Sequence, residues 1–286
     1  MKDDLLQRIS DMVPEFSKGQ KLIANFILEH YEKAAYMTAL KLGNTVNVSE
    51  STVVRFANRL GYEGYPQLQR SLQSHIKNRL TSIQRMDVTR SRIGDQTTLE
   101  GVLGQDIDKI RRTIESVRNE DFERAVDTIC SAKNIYIQGA MSSGILANFM
   151  HYYLRLIFGN VSHIGAVSVS EMYQQMVHIG EGDVLIAMSF PRYATSTIEA
   201  CKFASANGAK IIAITDSESS PLVQYANVPL YAYSDMVSFV DSLVAPMSLI
   251  NALIVGCSDR NRESVERNFS KLEQLWERSE VYKKDV

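Results

Sequence analysis

Three short apolar runs, at 135–137, 184–187 and 211–214, set the tightest limit on what this chain can fold into. None alternates apolar with polar residues, as a strand with one wet face would. Continuous runs of this length suit strands covered on both faces, the condition of a parallel sheet. Strands are expected near 134–138, 161–164, 183–188, 210–215 and 228–232, with helically spaced stretches between them. Alternating strands and helices predict an α/β doubly wound, flavodoxin-like domain of about five parallel strands. One or two helices, at 103–117 and 122–130, come before the first strand.

The front of the chain has a different period. Leu5, Leu6, Ile9 and Met12 form a helical stripe that Pro14 ends. Ser17 followed by Gln20 resembles a capping box, and Leu22, Ile23, Phe26 and Ile27 share a face of the helix it opens. A further helical stretch covers 38–60 with a break near Asn47; Gly61 and Gly64 stop it, and Pro66 begins another helix with Leu68, Leu72 and Ile76. Residues 78–97 are polar, Arg79, Gln84, Arg85, Arg90 and Arg92 among them. The expected organisation is an all-α domain over 1–77, a linker over 78–97 and the α/β domain over 98–286.

Composition narrows the class. Apolar residues make up 45% and charged residues 22%, as in a soluble globular protein. No run of about 18 apolar residues exists, so no membrane span is expected, and the charged start Lys2, Asp3 and Asp4 does not suit a secretory signal. Cys130, Cys201 and Cys257 are far apart in sequence, with no Cys-x-x-Cys or Cys/His cluster. No disulfide framework, metal or cofactor is expected, and a reducing cytoplasm fits. Residues 1–92 carry 14 Lys and Arg against 9 Asp and Glu, whereas 93–286 carry 17 against 24. A basic front and an acidic rear suit a chain whose first part meets a polyanion.

The segment 37–61 gives that polyanion a chemistry. Two helices crossing at a tight turn need apolar contacts at fixed offsets, and Leu42, Val46, Val48, Val53 and Phe56 supply them. Gly43 is the small residue where the helices touch. Asn47 is, after glycine, a type that tolerates left-handed backbone angles, and Ser49 stands where an N-cap belongs. Ser49, Glu50, Ser51, Thr52, Val54, Arg55, Asn58 and Arg59 are then left to face outward. Hydroxyls at the helix start suit phosphates or base edges; Arg55 suits guanine, Asn58 adenine and Val54 a thymine methyl. The competing reading is a helical hairpin with a solvated face, in which Arg55 pairs with Glu50 or Glu63.

The run from Val48 to Pro66, Val-Ser-Glu-Ser-Thr-Val-Val-Arg-Phe-Ala-Asn-Arg-Leu-Gly-Tyr-Glu-Gly-Tyr-Pro, closely resembles the helix-turn-helix domain of the RpiR (MurR) family of transcription regulators. Phe16-Ser-Lys-Gly-Gln-Lys-Leu-Ile-Ala and Ala35-Tyr-Met-Thr fit as well, with Asn47 in place of the family's turn glycine. The resemblance implies a sugar-isomerase (SIS) domain behind the linker and extends over roughly the whole chain.

Gln138-Gly139-Ala140-Met141-Ser142-Ser143-Gly144 follows the first expected strand. Small residues there let helix-start N–H groups approach an anion, although a tight turn with capping serines needs the same pattern. In SIS domains this is the first phosphate loop, and Ser143 matches the binding serine. The second cradle of SIS domains, Ser-x-Ser-Gly-x-Thr, is matched by Ser189 only; Pro191, Arg192 and Ala194 replace its other members. Pro191 removes an N–H donor, and Arg192 is the candidate replacement as a bidentate partner for phosphate or carboxylate, or else a surface arginine. The expected ligand contacts are Gly139, Ser142, Ser143, Ser189, Arg192, Tyr193 and Thr195. Glu171 lies near where sugar-isomerising relatives keep catalytic groups, and His163 near the end of the second strand.

These features imply a DNA-binding, non-enzymatic transcription regulator. It would act as a homodimer or homotetramer on double-stranded DNA with an inverted repeat, and a small anionic metabolite, a sugar phosphate or related acid, would modulate it. The alternatives are a sugar-phosphate isomerase-like enzyme with an accessory helical domain, or a DNA-binding protein whose SIS domain only dimerises.

Overall fold

The computed structural model describes residues 5–76, 83, 97–165, 168–234 and 240–281. Of the expected linker only residues 83 and 97 fall among these; the rest lies outside the described residues. The chain divides into two compact units, Met1–Leu103 with Met236–Val240 and Gly104–Asp235 with Asp241–Val286.

The helices of the first unit are α1 (Leu5–Met12), α2 (Lys18–Glu29), α3 (Tyr31–Ala34), α4 (Ala39–Thr45), α5 (Glu50–Arg59) and α6 (Tyr65–Ile76). Local chemistry sets their starts. The Ser17 hydroxyl accepts the Gln20 N–H at 3.4 Å, and the Gln20 side chain accepts the Ser17 N–H at 3.1 Å, which satisfies two otherwise orphaned donors of α2. Thr38 caps α4 by accepting from Lys41 at 3.2 Å. α6 begins at Tyr65 and not at Pro66, because proline's fixed φ and missing N–H suit any position in a first turn. Ile23, Ile27, Leu42, Val53, Phe56 and Leu68 are fully buried in one core. The rings of Phe16 and Phe56 lie 5.1 Å apart across it.

From residue 98 onward come α7 (Thr98–Ser116), α8 (Asn119–Cys130), β1 (Ile135–Gly139), α9 (Ser142–Ile157), β2 (Val161–Ile164), α10 (Val169–Gln175), β3 (Val184–Met188), α11 (Thr195–Ala206), β4 (Lys210–Thr215), β5 (Val228–Tyr231), α12 (Val244–Arg260) and α13 (Arg262–Arg278). The strands form one parallel sheet in the order β2-β1-β3-β4-β5. β1 and β3 are buried along their whole length, which is why their sequences do not alternate. Ile135 and Ile137 pack under α8, α9 and α12, whereas Tyr136 faces the side covered by α10 and α11. The chain leaves β1 towards β2 on one side and returns to β3 on the other. That reversal opens a crevice at the carboxyl ends of β1 and β3, where doubly wound sheets hold ligands. Among the described residues, no helix is long and apolar enough to cross a membrane.

Candidate DNA interface and effector loops

α4 and α5 meet as a tight helical pair. A Cβ built on Gly43 would stand 2.8 Å from the Val48 carbonyl oxygen, so only glycine fits at the crossing. Asn47 takes the left-handed conformation at φ 55°, and the Val48 N–H returns to the Gly43 carbonyl at 2.9 Å. This turn fixes which face of α5 is free. Ser49, Glu50, Ser51, Arg55, Asn58 and Arg59 are exposed. Thr52 and Val54 are half-buried on the flanks of that face, with the Thr52 methyl close to α2, 3.3 Å from where a Gly19 Cβ would sit.

Ser49 holds the N-cap position by backbone conformation, but its hydroxyl makes no cap bond. It lies 2.9 Å from both the Ser51 and the Thr52 hydroxyl, so three hydroxyls cluster at the start of α5. Arg55 donates to the Thr52 hydroxyl at 3.3 Å and pairs with neither Glu50 nor Glu63. Arg59 is held differently, in an exposed ion pair with Glu15 at 3.2 Å. Such a pair is worth less than about 1 kcal/mol and gives way readily to a phosphate.

In the second unit, the loops after β1 and β3 stand at the two lips of the sheet crevice. Gly139 allows the first to turn at once into α9: a Cβ there would lie 2.4 Å from the Ser143 carbonyl oxygen. Met141 follows at φ 55° and ψ −125°, and neither α9 nor α11 begins with a side-chain cap. Ser143 is buried in the first turn of α9, and the Ser142 hydroxyl donates to Asp241 at 3.3 Å. In the second loop, buried Ser189 accepts the Ala194 N–H at 3.2 Å, and its own carbonyl accepts the Thr215 hydroxyl at 2.7 Å. Arg192 is exposed at φ 73°, at the tip of that loop, and Thr195 is exposed at the start of α11. Tyr193 turns towards β4 and donates to Asp216 at 2.7 Å. Burial, then the Asp216 charge, pushes the Tyr193 hydroxyl well above its usual range, so it acts as a fixed donor.

A helix-turn-helix domain model of the rpiR family matches residues 3–79, and a SIS domain model matches residues 128–256. The chain thus carries an rpiR-family helix-turn-helix domain followed by a SIS domain. An HTH-type transcriptional regulator of Caldanaerobacter subterraneus subsp. tengcongensis is 22% identical over 92% of this chain and 94% of its own length. Another, from Haemophilus influenzae, is 26% identical over 79% of each. The bifunctional protein glk of Burkholderia mallei is 28% identical over 88% of this chain, which spans 38% of that protein. The sugar isomerase domain of the RpiR transcription factor from Sphaerobacter thermophilus is 25% identical, with a TM-score of 0.56 over 60% of this chain and 96% of its own. The Vibrio vulnificus NanR protein complexed with ManNAc-6P shares the fold over 95% of this chain and 97% of its own, at 20% identity and a TM-score of 0.56. The domain order of this chain, a helix-turn-helix domain with a SIS domain behind it, is that of an RpiR-type transcription regulator.

One feature of the SIS domain draws on residues far apart in the sequence. A cavity of about 510 Å³ lies beside the carboxyl ends of β4 and β5, lined in part by Arg118, Asp121, Asp216, Glu218, Tyr231 and Tyr233. Arg118 is already bound to Asp121 at 2.7 Å, which leaves Asp216 and Glu218 to set the field there. That field gives this cavity an acidic lining.

Proposed function

We propose that this chain binds specific DNA through α5, and that a small anionic metabolite between the loops at 139–144 and 189–197 changes that binding. The observation that carries the effector site is the pairing of two helix starts, α9 and α11, at the switch point of the sheet, neither capped by its own side chain. First-turn N–H groups there attract an anion. Arg192 at the loop tip adds the positive charge, in a loop where Pro191 and Ala194 lack the donors usual in the family. A sugar phosphate or sugar acid is the class that fits, since hydroxyls at Ser142, Ser143 and Ser189 surround the same crevice.

A charge-assisted contact of this kind contributes about 1.5–3 kcal/mol, roughly tenfold to a hundredfold in affinity. A thermal-shift panel of sugar phosphates and sugar acids identifies the compound to use. Titrated into a preformed DNA complex, that compound should act on Arg192→Ala only at tenfold or higher concentration, while DNA affinity without it stays unchanged. An equal midpoint in mutant and wild type excludes Arg192. A panel with no shift at all favours a SIS domain that only dimerises.

We also propose a homodimer or homotetramer on an inverted repeat, because one recognition helix reads too few base pairs to be selective. α9 presents Ile145 and the edge-to-face pair Tyr152 and Tyr153, rings 5.0 Å apart, to solvent, an apolar surface fit for a second copy. Light scattering that reports a monomer at micromolar concentration contradicts this. An isomerase is disfavoured: His163 pairs in register with Ile137 and so stands on the α9 side of the sheet, whereas Glu171 is on α10 on the other. The sheet keeps these two acid–base candidates apart.

A further inference from the structure

Cys130 is the last residue of α8, and Cys257 lies on α12. The two helices approach closely because Gly256 has no side chain: a Cβ there would stand 3.0 Å from Val126. At that crossing the Cys257 thiol lies within hydrogen-bonding reach of the Cys130 sulfur. The Asn261 side-chain amide donates to that sulfur at 3.2 Å and to the Cys257 carbonyl at 2.9 Å, which ties the two cysteines together. Arg260 spans the helices beside them, bonded to Glu123 at 2.7 Å and Asp127 at 3.1 Å. Cys130 is half-exposed, whereas Cys257 is buried behind it. An amide donor aimed at this partly buried sulfur, with a second thiol beside it, holds a thiolate better than a thiol. None of these groups belongs to the DNA face or to the effector loops.

We propose that Cys130 and Cys257 are a modification site for hydroperoxides, with Cys130 the attacking sulfur and Cys257 the resolving one. The Cys130 thiolate attacks one oxygen of hydrogen peroxide. The S–O bond forms as the O–O bond breaks, and the departing hydroxide takes a proton and becomes water. The sulfur is now a sulfenic acid. Cys257 then attacks it, the S–O bond breaks, and the sulfenic oxygen leaves as a second water with the Cys257 proton. Two thiols and one peroxide thus give one disulfide, which links α8 to α12, and two waters.

The charges around the pair agree. The Cys257 hydrogen bond brings Cys130 down to about 7, against its partial burial; Asn261 and Arg260 help, and Asp127 opposes. Donating that bond pushes the Cys257 thiol up, so it waits as a thiol until Cys130 is oxidised. Cys201 is the internal control, since burial pushes it up to about 12.

The test uses the reduced full-length chain, treated with hydrogen peroxide near neutral pH, quenched with N-ethylmaleimide and mapped without reductant. A peptide joining Cys130 to Cys257, reversed by dithiothreitol and with Cys201 unlinked, is expected. In Cys257→Ser the reaction should stop at a Cys130 sulfenic acid that dimedone traps. Iodoacetamide should label Cys130 about fivefold or more faster at neutral pH than in the unfolded chain, and Asn261→Ala should move the midpoint of that labelling to higher pH. Should Cys257→Ser not fold, the wild-type map and labelling rate decide. A Cys130 that reacts no faster than an unfolded cysteine, or a disulfide that omits it, overturns the proposal.

Discussion

Replacing Phe56 by alanine should cost about 3–5 kcal/mol and abolish DNA binding. Phe56 is fully buried at the centre of the helical core, tilted against Phe16 at 5.1 Å. It stands on α5 on the side opposite the exposed Arg55 and Asn58, so its packing sets the orientation of the reading face. A small helical domain has little stability to spare, and a loss of this size is comparable with the whole. Chemical unfolding followed in two ways checks it. Far-UV circular dichroism should show an early loss of helix in Phe56→Ala. Emission from Trp276, the one tryptophan and a residue of α13, should keep its wild-type midpoint. Coincident shifts of both signals would show that the damage is not confined to the helix-turn-helix core.

Gly139→Ala should remove the response to the effector and destabilise the second unit by about 1–3 kcal/mol. The added Cβ would lie 2.4 Å from the Ser143 oxygen, 2.8 Å from its carbonyl carbon and 3.2 Å from the Ala147 Cβ. The first two are backbone atoms of the first turn of α9, so no side chain can swing aside. The turn itself must move, and with it the N–H groups that would receive the anion. In the thermal-shift assay the mutant should melt lower and fail to gain stability from the compound that stabilises wild type. Wild-type melting and an undiminished shift would show that Gly139 is not required at the site.

What the sequence disclosed, and what it hid, follows from the range of the interactions. The runs at 135–137, 184–187 and 211–214 lie within strands because a doubly covered strand carries its burial in its own composition. The Ser17 capping box and the Asn47 turn are equally local. Other starts were just as local and are missed by a search for apolar spacing alone. α7 begins at Thr98, ahead of the expected 103, because the Thr97 hydroxyl and Glu100 cap each other, at 2.7 Å between side chains. α8 begins at Asn119, ahead of the expected 122, with Glu120 and Asp121 favouring its first turn. The Ser49 hydroxyl was expected to cap α5, but neighbouring hydroxyls at Ser51 and Thr52 engage it.

Backbone strain and long-range assembly leave no such trace. Met141 and Arg192 both take positive φ, at 55° and 73°, although neither residue type favours it. L-residues hold such angles only where the surroundings impose them, at a cost of about 1–3 kcal/mol each, and ligand clamps are where they gather. The cavity beside β4 and β5 draws on segments near 118, 216 and 231, and the Cys130 and Cys257 thiols meet only through the packing of α8 on α12. Nothing in their spacing announces either.

Sequence-specific reading of DNA by α5 is the central claim, and one binding measurement reaches it directly. A duplex selected by the full-length chain from a random pool serves as the operator, with a scrambled duplex at the same fixed salt as the reference. Wild type should prefer the operator by about a thousandfold or more. Arg55→Ala should lose about 1–3 kcal/mol on the operator and much less on the scrambled duplex, because a base contact is lost from one and not from the other. Equal affinity of the wild-type chain for both duplexes would contradict the account.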